Sequence, residues 1–359
     1  MCISPVRIRN PNKGSKFSSS FIKDTVSAFI NVPCGHCPEC ISLRQSYVVQ
    51  RCQAMLFDNY MFFATLTYNN QSLPVLTTST GYDIRYADIH DLQCTFKRLR
   101  KSNAFTRPFK YYAVSELGSL RGRPHFHALL FLPRYESDNE YTPLNLERIL
   151  FDSLLLEWRR NYGSSRKPVY KPLCTYKAKM ICGKLRSNYD LHFVRSNSSV
   201  EGESDVAFYV SKYLFKPSGH AVDLQRALRL NLPEDEYEHV WSKVRPRDFV
   251  SNGFGLGLNA DNYVRSCVSR SKSVSDFPLW YNPISGKPSP LSRFYRSKGF
   301  LFSQSDYLDF YFGSDAPADN VVFHKDIIVD KFDRAISKHN KKVQSISDSD
   351  ESCFLNLLN

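Results

Sequence analysis

Between residue 61 and about 196 the chain alternates two hydrophobic rhythms. Met61-Phe62-Phe63-Ala64-Thr65-Leu66-Thr67-Tyr68 puts Ala64 and Leu66 on one face and Thr65 and Thr67 on the other, the period of a strand. A helical stripe follows, Ile89, Leu92, Phe96 and Leu99, running to about Lys101 with Asp88 as its N-cap. Residues 109–116 return to the strand period, with Tyr112, Val114 and Glu116 on one face. A short Gly/Arg loop then leads into residues 124–131, apolar on both faces except at His125 and His127. Residues 143–160 predict a helix with Leu146, Ile149, Leu150, Leu154, Leu155 and Trp158 inward, and residues 190–194 another strand, in which His192 reads as structural. The basic, Pro-containing stretch 161–186 gives no clear element. The order β-α-β-β-α-β predicts an α+β fold of the split βαβ, ferredoxin-like kind: a mostly antiparallel sheet with helices over one face.

The flanks have other patterns. Residues 1–30 form a polar, basic arm. Residues 41–58 read as a helix through Leu43, Tyr47, Val48, Cys52, Met55 and Leu56; Arg44 and Arg51, two turns apart on one face, suit either phosphate or solvent. Residues 205–216, stopped by Pro217, predict a helix with Tyr209 and Tyr213 stacked at i and i+4, and Lys212 and Lys216 on an adjacent face. A helix is expected over 234–243. The glycine run 253–257 is a loop that either approaches DNA closely or makes an ordinary turn. Residues 261–303 mix Arg, Lys, Ser and aromatics, including Arg293-Phe294-Tyr295-Arg296, which suits stacking on unpaired bases or a basic surface over a core edge. These shifts divide the chain into an arm, cysteine knuckle and helix (1–60), a catalytic domain (61–218), an irregular basic C-terminal extension (219–335) and a polar tail (336–359).

A formal net charge of +13 favours an anionic partner, nucleic acid or a membrane surface. The start has no signal-peptide core, and no apolar run approaches the roughly 20 residues of a membrane span, so a membrane role is not expected. Ten cysteines in 359 residues, without an export signal, predict reduced thiols rather than a disulfide framework. Cys34, Cys37 and Cys40 differ, because Cys-Gly-His-Cys-Pro-Glu-Cys is a tight loop able to present several sulfurs to one zinc, with Cys2 or His36 as the fourth ligand; free thiols are the alternative. No Gly-x-x-x-x-Gly-Lys-Ser/Thr signature marks an ATPase.

The chemistry centres on His125 and His127. Two imidazoles on one strand face, about 7 Å apart along the strand, can converge on one metal ion. The hairpin places Glu116 near His125 as a third ligand. A tyrosine hydroxyl is a weak nucleophile at its ordinary pKa near 10, but it can attack a phosphodiester when a metal carries the developing charge. Lys212 and Lys216 can hold the phosphate or protonate the leaving oxygen.

These motifs stand in the order of a known family. Phe63-Ala64-Thr65-Leu66-Thr67-Tyr68, then Arg123-Pro124-His125-Phe126-His127, then Tyr209-Val210-Ser211-Lys212-Tyr213 with Lys216, resemble the three motifs of HUH endonucleases. With Met1-Cys2, the cysteine knuckle and Gly253-Phe254-Gly255-Leu256-Gly257, the chain resembles the replication initiators of gokushovirus-type microviruses. The resemblance implies the HUH fold and rolling-circle replication in the host bacterial cytoplasm. One tyrosine nicks the viral strand at the origin, keeping the 5′ end as a phosphotyrosine and freeing a 3′ hydroxyl primer; the second later rejoins the strand to release a single-stranded circle. It implies Mg²⁺ or Mn²⁺ as cofactor, single-stranded and origin duplex DNA as substrates, and a host helicase and DNA polymerase as partners. Thr65, Thr67, Arg121 and Arg123 are the expected DNA contacts. The competing readings are a non-enzymatic zinc-knuckle DNA-binding protein and an HUH relaxase or transposase.

Overall fold

The computed structural model describes residues 6–9, 29–32, 34, 38–118, 121–181, 184–194, 219–269, 279–282, 286 and 288–296. In chain order these give β1 (Val6–Arg9), β2 (Phe29–Val32), α1 (Pro38–Leu56), β3 (Asn59–Thr67), β4 (Val75–Thr77), β5 (Asp83–Arg85), α2 (Ile89–Leu99), β6 (Lys110–Leu117), β7 (Pro124–Pro133) and α3 (Thr142–Glu157). There follow β8 (Arg159–Asn161), β9 (Tyr170–Pro172), β10 (Ala178–Ile181), β11 (Lys184–Ser187), β12 (Tyr189–Phe193), α4 (Gly219–Asn231), α5 (Glu234–Val244), β13 (Asp248–Val250), α6 (Leu258–Ser269), β14 (Leu279–Tyr281), β15 (Pro288–Pro290) and α7 (Arg293–Arg296).

The centre is a five-stranded sheet in the order β12-β3-β7-β6-β13, with every pair antiparallel. Its first four strands are those expected from the alternating pattern. β7 lies between β3 and β6, so the β3-α2-β6 crossover is split by the returning hairpin strand. Why these residues form strands is plain from their sides. Phe62, Ala64 and Leu66 of β3, and Phe126, Ala128 and Leu130 of β7, face Leu92, Phe96 and Leu99 of α2 and Leu150 and Leu154 of α3. Each large side chain so buried contributes about 2 kcal/mol. Asp88 caps α2 as expected, accepting from His90 N at 2.9 Å. Ile149, expected inward on α3, is exposed; the buried positions are Leu150, Leu154 and Trp158. The Trp158 indole donates to Thr67 O at 2.6 Å and pins the end of α3 to the end of β3.

The expectation of helices on one face alone needs correcting. α1 packs on the opposite face, where Cys52 and Met55 meet Met61, Phe63, Tyr112, Val114, Leu129, Phe131 and Phe254. Alternation makes both faces of β7 apolar at this end, so a second cover is required. The cover continues through Ala54, which packs with Ala260 and Val264 of α6 and with Trp280, Leu291 and Tyr295.

Three further expectations change here. Arg51 meets neither phosphate nor solvent. It donates to Phe254 O at 3.2 and 2.7 Å and lies over the rings of Phe254 (4.7 Å) and Phe294 (4.0 Å). The glycine loop is neither a DNA contact nor a loose turn. Gly255 (φ +88°) would put a Cβ 3.1 Å from the Arg51 side chain, and Gly257 would put one 2.3 Å from Asp58 Oδ2. Lys110 Nζ closes the same loop by donating to Gly253 O and Leu256 O, each at 3.0 Å. Finally, Tyr295 is buried against Trp280 (5.8 Å, 4° between planes) and donates to Gly255 O at 2.9 Å, so it does not stack on bases.

Candidate metal centre

The site is built by the β6–β7 hairpin at the uncovered end of the face that α1 packs on. The turn closes by Gly118 N donating to Arg123 O (3.0 Å) and Gly122 N to Gly118 O (2.8 Å), with Gly122 at φ +59°. A Cβ on Gly118 would meet Arg123 O at 3.3 Å and His125 Cε1 at 3.5 Å, so a side chain there crowds the histidine. The register puts Glu116 opposite His125 and Val114 opposite His127 on one side, and Thr67 opposite His125 and Thr65 opposite His127 on the other. Directly paired residues share a face. Glu116, His125 and His127 therefore meet as a consequence of strand pairing.

The three donor atoms converge. His125 Nε2 stands 3.1 Å from His127 Nε2, and Glu116 Oε2 lies 3.3 Å from the first and 3.2 Å from the second. Among the described residues this trio forms a group able to hold a metal ion, its ligand atoms all within 4.8 Å of one another. Three atoms at those separations leave a point about 2.1 Å from each, the distance at which nitrogen and oxygen donors hold a divalent cation. The other ring nitrogens are already engaged. His125 Nδ1 is 2.9 Å from Arg123 O, which only accepts, so the proton sits on Nδ1 and Nε2 presents a lone pair. His127 Nδ1 contacts Thr65 Oγ1 at 3.2 Å; with the imidazole as donor, its Nε2 is likewise a lone pair. Two lone pairs and a carboxylate oxygen facing one another repel unless a proton or a cation lies between them. The donor set thus fits a divalent metal.

Electrostatics agree with a deprotonated site. Burial acts to raise the Glu116 carboxyl, but the hydrogen bonds and charge of His125 and His127 outweigh it and hold the group below its ordinary value. Burial pushes the His127 imidazole down, against the opposing pull of Glu116. Phe63 stacks on His127 at 5.3 Å and fixes the ring plane. His192 only packs edge-on against the far side of Phe63, as expected of a structural histidine.

The remaining expected residues divide. Thr65 and Thr67 are engaged within the protein: Thr65 on His127, Thr67 donating to Asn188 O. Arg123 donates to Asn70 Oδ1 at 2.8 Å and to Tyr68 O, tying the hairpin to the end of β3. Arg121 is exposed at the turn, with no hydrogen bond or ion pair among the described residues. Tyr209, Lys212, Tyr213 and Lys216 lie outside the described residues, as do Cys2 and Cys37. Cys34 Sγ and Cys40 Sγ stand 4.0 Å apart with no disulfide between them. That is close to the roughly 3.8 Å between two sulfurs on one tetrahedral zinc. Sequence reasoning missed His220. A Cβ on Gly122 would touch its ring, 3.3 Å from Cγ, so the start of α4 rests on the hairpin turn. The signal available was only the glycine before His125, too common to single out.

With this geometry, the comparisons with known proteins have a defined object. Residues 61–218 match the family of the replication-associated protein ORF2 and the gene 2 protein. The matched stretch contains the whole hairpin and its triad. The chain is also 22% identical, over 308 residues, to the replication-associated protein VP4 of Bdellovibrio phage phiMH2K, covering 81% of this chain and 93% of that one. No solved structure matches it significantly. The two matches support a phage replication initiator.

Proposed function

We propose that the protein is an HUH endonuclease that starts rolling-circle replication of a phage genome by nicking and later rejoining the viral strand at its origin. The observation that carries the reading is the convergence of His125 Nε2, His127 Nε2 and Glu116 Oε2 within 3.1–3.3 Å of one another, inside the stretch that matches a replication-associated family. A Mg²⁺ or Mn²⁺ ion held there supplies Lewis-acid relief of the charge that builds on a phosphate oxygen during attack. The chain's own residues do the rest. Arg123 O and Thr65 hold the two imidazoles with their Nε2 atoms turned together. The phenol oxygen of Tyr209 or Tyr213 forms the new bond to phosphorus, and the bond to the 3′ oxygen breaks. That oxygen takes a proton from a neighbouring lysine, Lys212 or Lys216, and leaves as a 3′ hydroxyl. The second tyrosine attacks the regenerated origin and passes the 5′ end back to a 3′ hydroxyl, so no bond energy is lost.

Chain connectivity supports this assignment of the tyrosines. His220 rests on Gly122, in the same turn that presents His125. Tyr213 precedes His220 by seven residues, a reach of at most about 25 Å even when fully extended. The Cys34–Cys40 separation supports a structural zinc in the knuckle, completed by Cys37 and Cys2. In this reading the partners are single-stranded and origin duplex DNA, a host helicase to open the duplex and a host polymerase to extend the primer, all in the host cytoplasm. No helix among the described residues is long and apolar enough to cross a membrane.

The test is mass spectrometry of the protein after incubation with Mn²⁺ and single-stranded fragments that tile the phage origin region. The expected product is a peptide carrying a 5′-linked oligonucleotide on Tyr209 or Tyr213, absent after chelation. Metal-dependent DNA binding with no covalent product would favour a non-enzymatic binding protein, and a product on a tyrosine elsewhere would move the nucleophile.

A further inference from the structure

The stretch that carried no clear sequence signal, residues 159–187, forms two small antiparallel ribbons, β8–β9 and β10–β11, neither joined to the central sheet. It holds nine Lys or Arg residues and no Asp or Glu, against a net charge of +13 for the whole chain. Most of the protein's excess positive charge is therefore concentrated in one twelfth of its length. The register of β10–β11 sorts it further. Lys179 pairs with Arg186 and Ile181 with Lys184, so these positions share one face of the ribbon; Ala178, Met180, Leu185 and Ser187 occupy the other. Like charges directly opposite on a two-stranded ribbon destabilise it unless an anion lies against them. A lone two-stranded ribbon is also marginal by itself. Lys177 and Lys179 are exposed, and Met180 is 66% exposed.

The ribbon is anchored where it matters. Asn188 ends it, donating to Thr175 O at 2.7 Å and accepting from Lys177 N at 2.7 Å, which closes the base. Thr67 donates to Asn188 O, and Thr67 is the residue paired with His125. The base thus springs from edge strand β12 at the same end of the sheet as the triad, two strand spacings, about 10 Å, from His125.

We infer that β10–β11 is a DNA-binding ribbon that grips the duplex flanking the nick site, with Lys179, Lys184 and Arg186 as its phosphate-binding positions. A two-stranded ribbon fits the roughly 12 Å width of the major groove. Duplex held there is delivered beside the triad, so the ribbon positions substrate and takes no part in bond breaking. The inference rests on the nicking reading for its purpose, but its binding test stands apart from cleavage.

The experiment measures anisotropy of a labelled duplex of about 30 base pairs, and of one of its strands alone, over a range of salt with the full chain and with the K179Q/K184Q/R186Q variant. Removing three phosphate contacts makes the log–log salt dependence on duplex shallower by about 3 and weakens duplex binding about tenfold or more at moderate salt. Single-strand affinity and metal-dependent cleavage of a single-stranded oligonucleotide remain within about twofold. Unchanged duplex affinity and salt slope would overturn the inference, and so would an equal loss on duplex and single strand. Absence of cleavage in both proteins would count against the nicking reading while leaving the binding result to decide this one.

Discussion

One face of the central sheet carries polar clusters at both ends, and they are built on opposite principles. At the covered end, Arg51 and Lys110 are buried cations that donate to backbone carbonyls of the 253–256 loop. Each charge is answered from within, and the glycines are what let the loop close on it. At the open end, the Nε2 atoms of His125 and His127 and the Glu116 carboxylate face one another, three acceptors without a donor among them once Nδ1 carries the proton. A finished hydrogen-bond network marks structure, whereas converging lone pairs mark a place for a cation. Both ends read as glycine, arginine and aromatic motifs in sequence, and only the pairing of donors with acceptors separates them.

The largest effect expected from breaking this contrast is at the open end. His127→Ala removes one of the three converging atoms and should lower metal-dependent cleavage by about 1000-fold or more, while thermal unfolding in chelator stays within a few degrees of wild type. A cleavage assay paired with a melting curve checks it; unchanged cleavage would separate the triad from the chemistry. Gly257→Ala works in reverse. Its Cβ would sit 2.3 Å from Asp58 Oδ2, so equilibrium denaturation should show a loss of about 3 kcal/mol, with metal binding to the surviving folded protein unchanged.

Smaller changes sharpen the comparison. Thr65→Val deletes the partner of His127 Nδ1 and should weaken metal affinity about tenfold at nearly constant stability, as measured by calorimetry. The smallest effect is a pH trend from the covered end. Burial pushes Lys110 down to about 8, so above that pH the native state releases a proton that the unfolded chain still holds. Stability in chemical denaturation should therefore rise modestly from about pH 8 toward the ordinary tyrosine range. Beyond it the trend reverses, because burial holds the phenols of Tyr68, Tyr112 and Tyr295 well above that range. Lys110→Met should abolish the rise.

The strands and the triad were legible in the sequence because alternation and hairpin pairing are local. Once residues 109–116 and 124–131 are strands joined by a short loop, Glu116 must come near His125. The cover on the second face was not, since it depends on α1 meeting the 253–257 loop some 200 residues away, and a basic helix face looks the same whether it meets water or backbone carbonyls. Nor were β8 to β11: strands of three and four residues interrupted by lysines lie below the length at which period two can be told from chance. Tyr295 misled for a related reason, because an aromatic flanked by arginines suits both a base and the buried stack that it makes on Trp280.

The central claim is that three converging donors bind a divalent cation, and titration of Mn²⁺ into metal-free protein tests it most directly. Mn²⁺ prefers nitrogen and oxygen ligands and discriminates against the cysteine thiolates. One saturable site per chain, lost in His125→Ala and in Glu116→Ala with the fold intact, is the result predicted. No saturable site in the wild type, or one that survives both substitutions, would contradict it.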